Sequence, residues 1–402
     1  MFAFVQPFGL SSPAGGPRIL RSLLKENSHP FLSICTSPTP PPKTTVGEEI
    51  HLPIRPNFYR LERSRFAKYL GSALPLCANN FKKGMEEILV KEKVSAIHAI
   101  PHGLDFAYTF EVATKLGLPY YLNIHDELDY NLKGHVELDE AERQLAHVWR
   151  ESTNRMVISE AMGAEYSRRY GARSYTVVTD GLEKISRSKK NTPSQNLQVY
   201  FMGSVHLSYR ENFSSLVFAL EKFSENNPEW NVSLTIRGEL PFPLPNVKIP
   251  TEYLPWGTES EVAQDMDDID LLYLPLPFGE AHQSFSRYSL STKMVTYLGS
   301  GIPILCHAPQ DAAATQLLSN ANAGITITSL DPNLIAKALH SPDRPLDQVV
   351  ENAFNLAHSQ FMLTDVQSRF WNVLHSHITP SVTLVQEVDS SQSNSFRTTI
   401  NV

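Results

Sequence analysis

The segment that most suggests binding chemistry is 286–307, SRYSLSTKMVTYLGSGIPILCH. Residues 289–293 are Ser289, Leu290, Ser291, Thr292 and Lys293. Their three hydroxyls and one lysine lie directly before an apolar, helix-forming run. Serine is a typical N-cap, and the free N–H groups at a helix start attract anions. Hydroxyl donors and a lysine ammonium also suit phosphate oxygens. The segment therefore predicts either a phosphate site or a capped helix that only packs on a sheet.

The elements before this segment alternate between short apolar runs and amphipathic helical patterns. The first half of the chain predicts strands at 2–5, 31–35, 95–100, 119–125, 155–159 and 175–178. Helical patterns separate several of them, at 17–26, 106–117 and 160–171. Apolar strands alternating with helices predict a parallel sheet covered by helices on both faces.

A second α/β series follows a polar, apolar-poor stretch, KISRSKKNTPSQN, which predicts a linker at 184–196. Its predicted strands are 197–204, 232–238, 271–276 and 302–306. We predict an α/β protein of two Rossmann-like domains facing a cleft, with boundaries at 1–183 and 197–360. An amphipathic helix at 361–378 and a Ser/Thr/Gln-rich tail at 379–402, for which we expect disorder, complete the chain.

The position of the hydroxyl–lysine segment favours phosphate binding. The segment follows the predicted strand 271–276, and open α/β sheets bind ligands beyond the carboxyl ends of their strands. The helix start at 289–293 therefore falls at the edge of the sheet where a ligand is expected.

Composition limits the classes of function. The chain has 35 basic and 42 acidic residues and a net charge of −7, which argues against a general nucleic-acid binder. Three widely spaced cysteines predict neither a disulfide framework nor a zinc site. The first ten residues lack a basic region before their apolar run, and no long uncharged apolar stretch occurs, so we expect neither a signal peptide nor a membrane span. A cytoplasmic location is the expectation.

Several motifs for other chemistries are absent or poorly placed. The acidic run DMDDID at 265–270 could hold a metal and a diphosphate, but it precedes the predicted strand 271–276 and so lies at its amino end. We interpret it as a solvated helix end. The sequence contains no G-x-G-x-x-G after its first strand and no G-x-S-x-G, H-E-x-x-H or P-loop, which removes the usual supports for dehydrogenase, hydrolase, metalloprotease and NTPase functions.

Basic and aromatic residues alternate in RPNFYRLERSRFAKYL, at 55–70. On an acidic protein this pattern predicts either contact with anionic lipid or a phosphate-linked acceptor, or a solvated helix face whose aromatic residues pack inward. Peripheral contact with a membrane is thus one of two interpretations of this segment.

Five segments in order resemble GT-B-fold glycosyltransferases of the family-4 type. STKMVTYLGSGIPIL resembles their donor-site helix, and GGPRILRSLL at 15–24 resembles their Gly-Gly loop and first helix. The segment 94–127 is similar to their first-domain strand–helix–strand unit that ends in His-Asp. VISEAMGAEYSRRYG with YTVVTDGLE, and the segment 199–220, resemble the approach to the linker and the opening of the second domain. The resemblance covers roughly residues 1–378.

The resemblance implies a role for individual residues. It implies that Gly15 and Gly16 approach the donor phosphates and the acceptor closely. His125 would lie near the transferred sugar, although a hydrogen-bonded strand-end histidine is an alternative. Arg210 would clamp the diphosphate, with Lys293 either as a second clamp or in place of the first, and the catalytic set is therefore His125, Arg210 and Lys293. The remaining donor-site positions are Ser204, Tyr288, Ser289, Leu290, Ser291, Thr292 and Thr296.

The sequence departs from the family pattern at its donor signature. Two glutamates eight positions apart are usual, and here those positions hold Tyr288 and Thr296. The usual Gly-Arg pair at the start of the second domain is Gly203-Ser204. Recognition of the donor nucleotide is therefore altered, and an inactive site is an alternative.

The resemblance implies a metal-independent, hexosyltransferase-like enzyme of polysaccharide biosynthesis. It would move a sugar from a nucleotide-sugar to a glycan or lipid-linked acceptor with retention at the anomeric carbon, without a cofactor. It also implies that the final helix crosses back to the first domain. The alternative is a catalytically inactive GT-B-like protein that serves as a binding or assembly partner. A sugar-nucleotide epimerase, a third option, needs an acid/base carboxylate pair, which the sequence does not place.

Overall fold

A computed structural model of the chain describes residues 1–25, 29–44, 46–56, 70–132, 137–186, 195–339 and 346–376. Most of the basic–aromatic segment 55–70, most of the predicted linker and the tail 379–402 lie outside the described residues. The described chain forms two parallel sheets with interleaved helices, as the sequence predicts.

The first sheet has the strand order β3-β2-β1-β4-β5-β6-β7. Its strands are β1 (Phe2–Gln6), β2 (Phe31–Cys35), β3 (Glu48–His51), β4 (Ala96–Ala99), β5 (Tyr120–Ile124), β6 (Asn154–Val157) and β7 (Thr176–Val177). All recorded pairings in it are parallel, and Phe4 of β1 lies opposite Ser33 and His98. Its helices are Gly15–Leu24, Leu70–Lys91, Asp105–Leu116, Leu128–Leu132, Leu138–Glu151 and Glu160–Tyr170.

The second sheet has the strand order β10-β9-β8-β11-β12-β13. Its strands are β8 (Asn196–Met202), β9 (Asn231–Arg237), β10 (Thr251–Leu254), β11 (Leu271–Pro275), β12 (Ile304–His307) and β13 (Ile325–Ile327). Its α-helices are Arg210–Asn226, Glu259–Asp265, Gln283–Tyr288, Thr292–Leu298, Ala313–Asn320, Pro332–Leu339 and Leu346–Leu356. Two apolar clusters cover it, one containing Met294, Val295 and Leu298 and the other containing Phe213, Leu216 and Val217.

The final helix, Leu363–His375, returns to the first domain, as the resemblance implies. Its Gln367 Nε2 donates a hydrogen bond of 2.8 Å to the carbonyl oxygen of Ser22, and Trp371 Nε1 donates one of 3.1 Å to that of Leu23. Val366, Phe370 and Leu374 are buried in the apolar core of the first domain. The chain therefore ends its described part against the helix that follows β1.

The ten strands predicted from the sequence all occur, within one to two residues at each end. Three further strands, β3, β10 and β13, were not predicted, and each lies at an edge of its sheet. Their sequences EEIH, TEYL and ITI are short and largely half-exposed, so they lack the apolar run by which a central strand is recognised.

Candidate functional site in the interdomain cleft

The strand order of each sheet reverses at one point. In the first sheet, β1 lies between β2 and β4, and in the second sheet β8 lies between β9 and β11. Loops that leave such a pair of strands diverge to opposite faces and open a crevice at the carboxyl edge, where α/β proteins bind ligands. The two crevices are therefore the candidate ligand-binding positions of this fold.

Lys293 lies in the crevice of the second sheet. It follows Ser291, whose hydroxyl accepts a hydrogen bond of 3.3 Å from the backbone N–H of Lys293 and caps the helix Thr292–Leu298. Its side chain runs over Gly203, directly after β8, where an added Cβ would be 2.9 Å from Lys293 Cε. Gly203 also has a φ of +100°, a backbone conformation that favours glycine. Both this conformation and the close approach of the lysine side chain therefore require glycine here.

The ammonium of Lys293 is not neutralised by the described part of the chain. Its Nζ lies 5.4 Å from the centre of the Phe201 ring. No hydrogen bond or ion pair of this side chain is recorded with any described residue. Burial lowers the pKa of Lys293 to about 8, so at pH 7 most molecules still carry the charge. A desolvated cation without a counter-ion is a site for an anion.

Gly15 and Gly16 of the first domain lie near Thr292, the residue before this lysine, and near His125. They begin the helix Gly15–Leu24. A Cβ on Gly15 would be 3.5 Å from Thr292 Cγ2, across the cleft. A Cβ on Gly16 would be 3.1 Å from Phe8 Cε1 and 3.7 Å from His125 Nδ1. The structure thus brings the Gly-Gly loop, His125 and the segment before Lys293 to one place.

His125 directly follows β5 and is buried, with 4% of its surface exposed. Neither ring nitrogen has a hydrogen-bond partner among the described residues, which does not fit a hydrogen-bonded strand-end histidine. Burial lowers its pKa to about 3, with His102 and His98 adding to the effect, so the ring is neutral at pH 7. A neutral imidazole offers one donor and one acceptor to a ligand.

His98 differs from His125 although both are buried. Its Nε2 lies 3.0 Å from Asn123 Nδ2, and its ring packs 5.1 Å from that of Phe4. We interpret His98 as part of the core of the first domain, as the sequence suggests.

Thr296, the second departure from the family signature, contacts the first domain. Its Oγ1 accepts a hydrogen bond of 3.1 Å from Arg18 Nη2, and Arg18 Nε lies 3.1 Å from Asp180 Oδ2. Asp180 is buried, and burial raises the pKa of its carboxyl group, while Arg18 acts in the opposite direction. Arg18 therefore links the helix Thr292–Leu298 to a buried carboxylate of the first domain.

Tyr288 and Ser289 contact the first domain near the two residues that follow His125, Ser289 directly and Tyr288 through Arg169. Ser289 Oγ donates a hydrogen bond of 3.1 Å to Asp126 Oδ1. Arg169 forms two hydrogen bonds, of 3.0 and 3.1 Å, with Glu127, and its guanidinium carbon lies 5.6 Å from the centre of the Tyr288 ring. Tyr288 is buried in the apolar cluster of the first domain. We call the residues 125–127 with 288–289 the cross-domain clamp.

Arg210 and Ser204 are not brought against Lys293 by any recorded contact. Arg210 is exposed at the start of its helix, and its guanidinium carbon lies 5.5 Å from the centre of the Phe242 ring. Ser204 is exposed in the loop after β8. Leu290 packs, half-buried, against both the first-domain cluster and one cluster of the second domain.

The acidic run 265–270 has structural contacts. Asp265 accepts hydrogen bonds from Arg237 and, at 2.7 Å, from Tyr200 Oη. Asp270 Oδ2 accepts a hydrogen bond of 2.9 Å from the backbone N–H of Gln198. Within the described ranges no group of three His, Cys, Asp or Glu side chains could hold a metal ion. Those ranges also contain no helix of the length and apolarity needed to cross a membrane.

Sequence reasoning missed Arg18, Asp180 and Arg169. Arg18 lies two residues after Gly16, and Asp180 ends the strand region before the linker, so their positions carried a weak signal. Their meeting with Thr296 joins parts of the chain separated by 278 and 116 residues, which only the fold reveals.

Solved structures of the same architecture cover nearly the whole chain. HepE of Anabaena, crystallised with UDP and glucose, has a TM-score of 0.64 at 15% identity and covers 93% of this chain and 99% of its own. The trehalose-6-phosphate synthase OtsA has a TM-score of 0.63 at 11% identity and covers 94% and 100%. The corresponding enzyme of Burkholderia multivorans has a TM-score of 0.61 at 12% identity and covers 93% and 96%.

No protein-family model matches the sequence, and no curated protein is significantly similar to it. The solved structures, at 11–15% identity, establish the fold alone. The chain therefore has the two-domain GT-B fold that its sequence predicts.

Proposed function

We propose that the chain is a glycosyltransferase that moves a sugar from a nucleotide-sugar donor to an acceptor across the cleft. The observation that carries this proposal is Lys293, a cation without a recorded counter-ion at the crevice of the second sheet, directly after Thr292, which Gly15 of the first domain approaches. The crystals of HepE with UDP and with UDP-glucose support a nucleotide-sugar as the ligand of this architecture.

The chemical demand on such a site is to stabilise the diphosphate as the sugar leaves. Lys293 would supply a positive charge inside a partly desolvated crevice, where charge stabilisation is most effective. We assign the phosphate contact to this side chain and not to the helix start, because the helix Thr292–Leu298 has only seven residues. Arg210 would need to leave the Phe242 ring to join it.

The first domain would position the acceptor. The neutral ring of His125 could accept a hydrogen bond from a sugar hydroxyl or donate one to it, and Gly16 leaves room beside the ring. We propose transfer with retention, with the donor phosphate accepting the proton of the acceptor, and without a metal. The acceptor class that we propose is a glycan or a lipid-linked glycan, as in polysaccharide biosynthesis.

The test is a calorimetric and thermal-shift screen of the full chain with UDP, GDP, ADP and CMP and their sugars. We expect one nucleotide to bind to the wild type and Lys293→Ala to weaken that binding strongly. Lys337→Ala, an exposed lysine on another helix of the second domain, is the control and should bind as the wild type does.

The alternative is a GT-B-like binding or assembly partner without catalysis. It is favoured by Tyr288 and Thr296, since the first lies in the core of the other domain and the second is bonded to Arg18. Failure of well-folded protein to bind any of the nucleotides would refute the transferase proposal and support this alternative. Binding without transfer from any donor would support it as well.

A further inference from the structure

Trp256 is an exposed indole at the same edge of the second sheet as Lys293. It lies two residues beyond the end of β10, and 57% of its surface is exposed. A tryptophan side chain carries a large, flat aromatic face, to which a planar or apolar group can bind.

The loop that carries Trp256 is held on both sides. Arg237 Nη1 donates a hydrogen bond of 2.9 Å to the carbonyl oxygen of Pro255, and Arg237 is itself paired with Asp265. An added Cβ on Gly257 would be 2.5 Å from Arg237 Nη1, so the loop lies tightly on the guanidinium. Thr258 then begins the next helix with a complete capping box. The backbone at Trp256 is therefore fixed before any ligand arrives, which reduces the entropy cost of binding.

The ends of three neighbouring strands connect Lys293 to this loop. The backbone N–H of Gly203, after β8, donates to the carbonyl of Arg237 in β9 at 2.8 Å, and that of Gly238 donates to the carbonyl of Leu254 in β10 at 2.9 Å. Two strand spacings amount to about 10 Å. That distance is comparable with the reach of a nucleoside from its phosphates to its base.

Gly203 and Gly238, which lie between Lys293 and the loop that carries Trp256, have no side chains. An added Cβ on Gly238 would be 2.5 Å from the carbonyl oxygen of Gly203, and the φ of Gly238 is +122°. Two residues without side chains thus lie along this edge, between a cation and an exposed aromatic ring.

We propose that Trp256 is the stacking platform for the base of the donor nucleotide. This inference rests on the proposed function, since it places the phosphates of the same ligand at Lys293. Stacking of a base on an aromatic side chain tolerates different bases, because each presents a flat face. Removal of the ring should weaken nucleoside diphosphate binding roughly 5- to 150-fold.

The experiment measures the affinity of the full-length protein for UDP and for inorganic pyrophosphate by calorimetry. Trp256→Ala should weaken UDP binding and leave pyrophosphate binding unchanged, whereas Lys293→Met should weaken both. Trp256→Phe keeps a ring and should bind UDP within about threefold of the wild type. Tyr253→Ala removes another exposed aromatic ring, within β10, and is the matched control.

The outcomes separate this inference from the proposed function. UDP binding that is lost in Lys293→Met but unchanged in Trp256→Ala overturns the platform and leaves the nucleotide site standing. Equal losses in Tyr253→Ala and Trp256→Ala also overturn it, because the effect would not belong to one ring. Absence of nucleotide binding by the folded wild type overturns both.

Discussion

Replacement of Lys293 by methionine should make the protein more stable and less able to bind a diphosphate. Methionine keeps an unbranched stem over Gly203 and removes the charge. Burial lowers the pKa of the lysine from 10.5 to about 8. A shift of this size corresponds to about 3 kcal/mol if taken in full. Because part of the side chain remains solvated, we expect the free energy of unfolding at pH 7 to rise by about 1–2 kcal/mol.

The pH dependence of this gain has a definite sign. Between pH 8 and pH 10.5 the unfolded chain binds a proton at Lys293 that the folded chain has released, so the wild type gains stability as the pH rises through this window. The advantage of Lys293→Met should therefore be largest below pH 8 and fade toward pH 10. Urea unfolding at pH 7, 8.5 and 10 measures it.

Ligand binding should change in the opposite direction. Loss of a charge-assisted contact costs about 1.5–3 kcal/mol, which is a roughly 10- to 150-fold weaker affinity for the nucleotide that the wild type binds. Lys337→Met is the control for both measurements, since Lys337 is exposed. A Lys293→Met variant that is less stable at pH 7 would show that the lysine is not desolvated. A variant that binds the nucleotide as tightly as the wild type would show that the lysine is not the phosphate contact.

Three further predictions concern the same region. Nucleotide affinity should be constant below the pKa of Lys293, about 8, and fall as the pH rises above it, by up to about tenfold per unit, in calorimetric titrations at pH 7–9.5. Arg18→Ala should destabilise the protein by about 1–3 kcal/mol in urea unfolding, because the buried Asp180 loses its cation, and Asp180→Asn in that background should recover much of the loss. Arg169→Met should destabilise it more at pH 8 than at pH 6, by up to about 1.4 kcal/mol, because burial raises the pKa of Glu127 to about 7 and the acid protonated at pH 6 needs no cation. Equal losses at both pH values would contradict this.

The sequence predicts the central strands well because each is an apolar run between polar turns. The first strands of both sheets, β1 and β8, are nearly continuous runs of buried residues, and parallel strands covered on both faces have that pattern. Edge strands such as β10, with the sequence TEYL, are only four residues long, with two exposed central residues and half-buried ends, and give no such signal. The hydrophobic pattern therefore identifies the central strands of each sheet and misses strands at its edges.

The candidate site was predictable only where its residues follow strands in the chain. His125 follows β5, and the segment before Lys293 follows β11 with a helix between, so both could be placed at a carboxyl edge from chain order alone. The pairing of Arg18 with Thr296 depends on how the two domains meet, and no local pattern encodes that meeting. Two residues at the positions of the usual glutamates, Tyr288 and Thr296, turn out to make contacts with the first domain.

The cross-domain clamp bears on the timing of any catalytic cycle. Separation of the domains must withdraw Tyr288 from the core of the first domain. A tyrosine buries roughly 150–250 Å², so at about 25 cal/mol per Å² its exposure costs roughly 4–6 kcal/mol. The fully separated form would then be present in about one molecule in 10³ to 10⁴. A product that can leave only through that form would be released slowly even when sugar transfer is fast, and turnover would report the rate of domain separation.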